Sequence, residues 1–143
     1  MPQQDQAQYV AQAAAIPYRT DRRTGRSEVL LIRRRDGGKW GIPKGLVDPG
    51  LNHLEAAEME ALQEAGVEGS LWERPLGNFV YDKCHGTCLV RVYAMKVSKV
   101  REQWDEKPLR ERRWFPIDQA ADVCGREAVA RLIRRLAVAL GRR

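Results

Sequence analysis

The chain has 143 residues, 43% of them hydrophobic and four of them tryptophan, enough to fill one normal core. Its formal net charge of +6 points to an anionic partner, and no apolar run is long enough to span a bilayer, which argues against a membrane protein. Three cysteines are an odd number, so a disulfide framework is not expected, and Cys84 and Cys88 around His85, with Cys124 and His53 elsewhere, lack the paired spacing of a zinc site.

In chain order, the first eight residues, MPQQDQAQ, are polar and expected to be mobile. Residues 9–143 show no linker, internal repeat or low-complexity stretch and are expected to form one domain. Without a recognisable signal peptide, a cytoplasmic location is expected. Ala13–Arg19 and Glu28–Arg35 read as strands joined by the polar turn TDRRTGRS. LGNFVYDK and TCLVRVYAMKV read as a further strand pair around Cys84, His85 and Gly86. From Glu127 to Leu140, the residues Val129, Leu132, Ile133, Leu136 and Leu140 recur at helical period and predict an amphipathic helix.

The segment GLVDPGLNHLEAAEMEALQEAGV, from Gly45 to Val67, predicts a glycine loop running into a short helix. Asn52 followed three residues later by Glu55 forms a capping box with Asn at its head, and Gly66 is placed to end the helix in a left-handed turn. Leu54, Ala57, Ala61 and Ala65 give a slim apolar face suited to close packing on a sheet. Glu60 and Glu64, four apart, stack on one face with Gln63 beside them. Like charges at that spacing destabilise an isolated helix. A hard cation would reverse the sign of that interaction, because carboxylate oxygens are what Mg²⁺ takes when water and phosphate fill its other positions.

This segment resembles the Nudix box: glycine, five residues, glutamate, seven residues, Arg-Glu, an aliphatic, any residue, Glu-Glu, any residue, glycine, an aliphatic. Gly45, Glu60, Glu64, Gly66 and Val67 match in register. Leu51 stands at the first glutamate, Met59 at the arginine and Gln63 at the first glutamate of the closing pair. In the family the first glutamate and the arginine form a supporting ion pair. Here both partners are apolar, and exchanging a whole pair strands no charge. Gln63 keeps the shape of glutamate without its charge, so reduced metal affinity or rate is expected unless Asp82, Asp105, Glu106 or Glu111 supplies a further carboxylate. The resemblance extends from Tyr9 to Leu140. It includes WGIPKG as the short strand and tight turn before the box, and RRWFPIDQA as a late strand followed by a helix capped by Asp118. The implied fold is α/β: an α/β/α sandwich around a mixed central sheet.

The implied chemistry is metal-dependent hydrolysis of a phosphoanhydride, with Glu60, Glu64, the Gly45 carbonyl and, weakly, Gln63 holding Mg²⁺, or Mn²⁺ as a substitute. Arg33–Arg35, beside Lys39 and Lys44, close a strand whose alternation sends Arg33 and Arg35 to one face and Arg34 to the other. Lys44 and the arginines are expected to bind non-reacting phosphates. The pattern of basic residues most resembles the diphosphoinositol polyphosphate phosphohydrolases and their bacterial relatives. On that resemblance Arg19, Arg35, Lys83 and Arg112 would also grip phosphates. The IPKG turn resembles dinucleoside polyphosphate hydrolases as well, so the expected partner is a polyanionic, highly phosphorylated small molecule of one of these two kinds. A second reading is a sensor or binding module that kept the fold and lost catalysis. Gln63 and the lost arginine favour it, and the retained Glu60–Glu64 pair argues against it. Nucleic acid is disfavoured, since no basic stripe is interleaved with aromatics. A monomer or homodimer is expected.

Overall fold

The computed structural model describes residues 9–83 and 86–141. Cys84 and His85, and the polar stretch at positions 1–8, lie outside the described residues. In chain order the elements are β1 (Tyr9–Thr20), β2 (Ser27–Arg34), β3 (Lys44–Leu46), α1 (His53–Glu60), a π-helical turn (Ala61–Ala65), β4 (Val67–Leu71), β5 (Gly77–Lys83), β6 (Gly86–Val100), β7 (Arg110–Pro116), α2 (Ile117–Val123) and α3 (Glu127–Gly141).

The main sheet runs β4-β6-β1-β2-β7, with β3 pairing β1 and β5 pairing β6. It is mixed: β1 lies parallel to β6 from Tyr9↔Thr87 to Tyr18↔Lys96, while β1–β2, β2–β7, β4–β6 and β5–β6 are antiparallel. The two-residue period of the strands sorts the core into two layers. Ala14, Ile16 and Tyr18 of β1, Val29 and Leu31 of β2, and Val90, Val92 and Ala94 of β6 face α2 and α3. The intervening Ala15, Leu30, Ile32 and Met95 face Ala61 and Ala65 of the π turn, and Ala13 and Tyr93 face Ala56 and Ala57 of α1. Small residues on both sides let α1 lie close to the sheet, as its alanine face predicts. Helices on both faces give the expected α/β/α sandwich.

β1 is buried from Gln12 to Tyr18, as a strand covered on both faces must be. Pro17 is tolerated in it because β1 changes partner there. The Ala15 amide donates to the Pro43 carbonyl at 3.1 Å, pairing with β2 begins at Tyr18, and the position that cannot donate falls between. On the other side, α3 buries Val129, Leu132, Ile133 and Leu136, each contributing about 1.5–3 kcal/mol by leaving water.

One strand goes beyond the sequence reading, and one expectation is corrected. Val67–Leu71, not expected as a strand, pairs with β6 through a bulge between Glu68 and Gly69; its Gly and Ser break the β-branched pattern that would mark it. Asp118 does not cap α2: the cap position is Pro116, no side chain caps the helix, and Asp118 sits in the first turn, where a negative charge suits the helix dipole.

Candidate active site

The ends of β2 and β7, the loop before β3, β3 itself, the box helix, β5 and the α2–α3 connection converge on a cleft of about 530 Å³. The box helix is started by the expected reciprocal cap: the Glu55 amide donates to Asn52 Oδ1 at 2.8 Å and the Asn52 amide to Glu55 Oε1 at 3.0 Å. Its α-helical part ends at Glu60, and a π-helical turn carries the chain on to Gly66, which takes φ +67°. Glu60 is 9% exposed and Glu64 8%, and both line the cleft.

Gly45 explains how the loop and the helix meet. A Cβ there would run into the carboxyl group of Glu60, with Oε1 only 2.6 Å away, so glycine alone lets that carboxyl rest against the loop. Next to it, the Lys44 amide donates to Glu64 Oε1 at 3.2 Å. Burial pushes the Glu64 carboxyl up to about 8, although the Arg110 guanidinium beside it pulls the other way, and burial raises Glu60 as well. Burial therefore favours the neutral form of both carboxyls when no cation is bound. An all-oxygen donor set of two carboxylates, opening on a cleft with room for water and phosphate, fits Mg²⁺. Among the described residues no three His, Cys, Asp or Glu side chains converge as a ready metal cluster. Of the suggested extra carboxylates, Glu106 is bound at 2.6 Å by Arg110 Nε, Glu111 pairs with Arg33, and Asp82 accepts from Thr87 Oγ1 at 2.8 Å. Nothing in the structure brings Asp105 to the pair.

Around this pair the cleft is cationic. Arg33, Arg34 and Arg110 have acidic partners in Glu111, Asp36 and Glu106, whereas Lys39, Lys44, Lys83 and Arg126 form no ion pair among the described residues. Arg126 stacks 4.5 Å from the ring centre of Tyr81, and Lys44 Nζ lies 5.0 Å from the same ring. Arg33 stacks on Trp40 at 4.4 Å. Burial and the nearby Arg126 lower the Lys44 ammonium from its usual range. The Tyr81 hydroxyl donates to Gln12 Oε1 at 2.9 Å, which satisfies the oxygen of this buried side chain and fixes the ring that carries both cations.

The structure therefore brings together Glu60, Glu64, Gly45, Lys44, Arg33 and Lys83 of the expected site residues, and leaves four others off the cleft wall. Gln63 is half-buried away from it. Wider π-helical winding needs more residues per turn, so a residue three positions beyond Glu60 is swung aside while Glu64, four beyond, stays in line. Arg19 is at the far end of β1, paired with Glu28 at 2.8 Å and stacked 4.0 Å from Trp114. Arg35 lies beyond the end of β2, where alternation no longer orients it, and its Nε donates to the Lys107 carbonyl at 3.0 Å. Arg112 is committed to backbone carbonyls behind the helix. Arg110, Arg126, Tyr81 and Gln12 were not singled out from the sequence. The alternation of RERRWF on β7, read from Phe115 in the core, puts Arg110 on the face opposite Glu111 and Arg113 but does not separate it from Arg112.

A carboxylate helix fed by a glycine loop, on an α/β/α sandwich and facing a cationic cleft, defines a Nudix-type domain. The chain belongs to the Nudix family: the NUDIX domain model matches residues 9–136. It is 37% identical over 114 residues to Nudix hydrolase 12, mitochondrial, of Arabidopsis thaliana, covering 74% of this chain and 56% of that protein. It is 34% identical to diphosphoinositol polyphosphate phosphohydrolase 3-beta of Bos taurus, over 87% of this chain and 76% of that one. The chain thus spans little more than half the length of the plant relative. The fold also matches the crystal structure of the C. elegans Ap4A hydrolase, with a TM-score of 0.76 and 23% identity over 93% of this chain and 99% of that one. Among the described residues no helix is long and apolar enough to cross a membrane.

Proposed function

We propose that this Nudix domain is a metal-dependent pyrophosphohydrolase that cleaves a phosphoanhydride in a highly phosphorylated small molecule, with a diphosphoinositol polyphosphate favoured over a dinucleoside polyphosphate. The observation that carries the proposal is the buried Glu60–Glu64 pair, seated against Gly45 on the wall of a cleft whose Lys39, Lys44, Lys83 and Arg126 form no ion pair among the described residues. Two acids kept out of water at such a place are costly unless a cation takes the proton's position. Glu60, Glu64 and the Gly45 carbonyl would hold Mg²⁺, with Gln63 contributing only after a side-chain rearrangement. Bound there, the ion would polarise the diphosphate and acidify a water. Lys39, Lys44, Lys83 and Arg126 would hold the phosphates that do not react and offset charge that builds on the leaving group.

The preference between substrates rests on the aromatic rings. Trp40 and Tyr81, which reach the cleft, are both already stacked against arginine, and Phe79 also has Arg126 near its face. A purine would have to displace a cation to stack, whereas a phosphorylated ring needs no aromatic platform. The likeness to the C. elegans Ap4A hydrolase bears on the fold alone, while the 34%-identical relative is a diphosphoinositol polyphosphate phosphohydrolase.

The test is phosphate release with Mg²⁺ from each substrate, comparing the chain with Gln63→Glu. The expected result is weak turnover that rises in the glutamate variant. Tight binding of the polyphosphate without turnover in either protein would favour the sensor reading instead.

A further inference from the structure

The last carbonyls of a helix have no partner within the helix, and at Gln63–Gly66 every one is taken by the loop after β6 or by the start of β7. The Glu106 amide donates to the Gln63 carbonyl at 3.0 Å, Trp104 Nε1 to the Glu64 carbonyl at 3.0 Å, and Arg112 Nη1 to the Ala65 carbonyl at 2.9 Å. The Arg101 amide donates to the Gly66 carbonyl at 2.8 Å. Arg112 Nη2 also donates to the Arg101 carbonyl at 2.6 Å, and its guanidinium lies 3.9 Å from the centre of the Trp104 ring. One arginine thereby ties the helix end, the loop and the indole into a single unit. Gly66 is the only residue that admits this packing, since a Cβ there would come within 2.6 Å of Arg112 Nη1 and 2.8 Å of Trp104 Cβ.

Glu64 is consequently held from both sides: its carbonyl by Trp104 behind the helix and its carboxyl by the Lys44 amide in front. We infer that Trp104 and Arg112 are positioning residues that aim the Glu64 carboxyl at the metal position, and that Arg112 binds no phosphate. The inference rests on the metal reading proposed above. A metal ligand on the last turn of a helix can move by fraying of that turn. This clamp removes that freedom by giving each frayable carbonyl a partner from another element.

The experiment is Mn²⁺ titration of the metal-free chain by calorimetry, with Trp104→Phe, which keeps the ring and loses the donor, and Arg112→Lys, which keeps the charge and loses the fork. Melting curves and kcat and KM for the polyphosphate substrate accompany it, all at a temperature well below unfolding. The expected result is Mn²⁺ affinity weakened about tenfold or more in each variant, as for other outer-shell partners of metal ligands, with kcat lowered at limiting metal and KM nearly unchanged. Unchanged Mn²⁺ affinity with a lower melting point would make the clamp merely structural. Unchanged affinity with a raised KM in Arg112→Lys would make Arg112 a phosphate ligand. Either result overturns this inference and leaves the proposed function standing, whereas failure of the unsubstituted chain to bind Mn²⁺ overturns both.

Discussion

At the scale of the residue, the Glu60–Glu64 pair governs how the metal-free protein responds to pH. Glu64 is raised by burial to about 8 from an ordinary 4.5, so in the folded state it keeps a proton that the unfolded chain would already have lost. A raised acid of this kind contributes stability fully below the unfolded value and loses it as pH rises through the folded one. With the metal chelated, stability from this group should fall between pH 4.5 and 8, by a total on the order of a few kcal/mol. Urea melts across that window check it: Glu64→Gln should flatten the slope, and saturating Mg²⁺ should do the same in the unsubstituted chain. An identical slope in Glu64→Gln would place the proton elsewhere. The identity of this pair was legible in the sequence, because four-residue spacing brings two side chains together on an α-helix and nearly so on a π-helix. The displacement of Gln63 was not legible, since winding depends on what grips the helix end, and those partners lie some forty residues further on, at Trp104 and Arg112.

At the scale of the element, the box is a loop and a helix pressed together, and two of its three glycines, Gly45 and Gly66, serve different ends. Gly45 does not take a left-handed φ, and the atoms a Cβ would meet first all belong to the tip of a flexible side chain, the Glu60 carboxyl. Gly45→Ala should therefore leave the melting temperature almost unchanged while shifting that carboxyl, and activity should drop by about 10²-fold. Gly66 combines φ +67° with the Trp104 and Arg112 contacts, so Gly66→Ala should cost about 2 kcal/mol of stability and lower activity as well. Thermal melts and kinetics on the two variants separate site from scaffold, and a large fall in the melting temperature of Gly45→Ala would contradict the reading. The capping box, the alanine face, the central strands and α3 were readable because each follows from short-range periodicity or a local cap. β4 was hidden by Gly69 and Ser70, and the placement of Arg19, Arg35 and Arg112 depends on strand ends and on partners distant in sequence. Local pattern marks such cations as candidates without fixing which of them reach the cleft.

At the scale of the whole molecule, the excess positive charge matters where it is left uncompensated. Lys39, Lys44, Lys83 and Arg126 come from the loop before β3, β3, β5 and the α2–α3 connection, so only the completed sandwich gathers them. Their mutual repulsion is offset in part by the Tyr81 ring, which faces both Arg126 and Lys44, and by the acidic pair itself. A polyphosphate entering the cleft would relieve that repulsion, and because the cleft is open to solvent the attraction is screened by salt, over about 10 Å at 0.1 M. KM for a highly phosphorylated substrate should consequently rise several-fold between low and moderately high ionic strength, with kcat little changed, because the carboxylates that would hold the metal are buried and less screened. Arg126→Ala or Lys83→Ala should raise KM about tenfold at low salt and flatten its salt dependence, while Arg22→Ala, on a turn at the opposite end of β1, should alter neither. Steady-state kinetics over a salt series on these three variants decide the matter. If Arg22→Ala changed KM as much as Arg126→Ala, the attraction would be a property of net charge, and the cleft would lose its claim to the substrate.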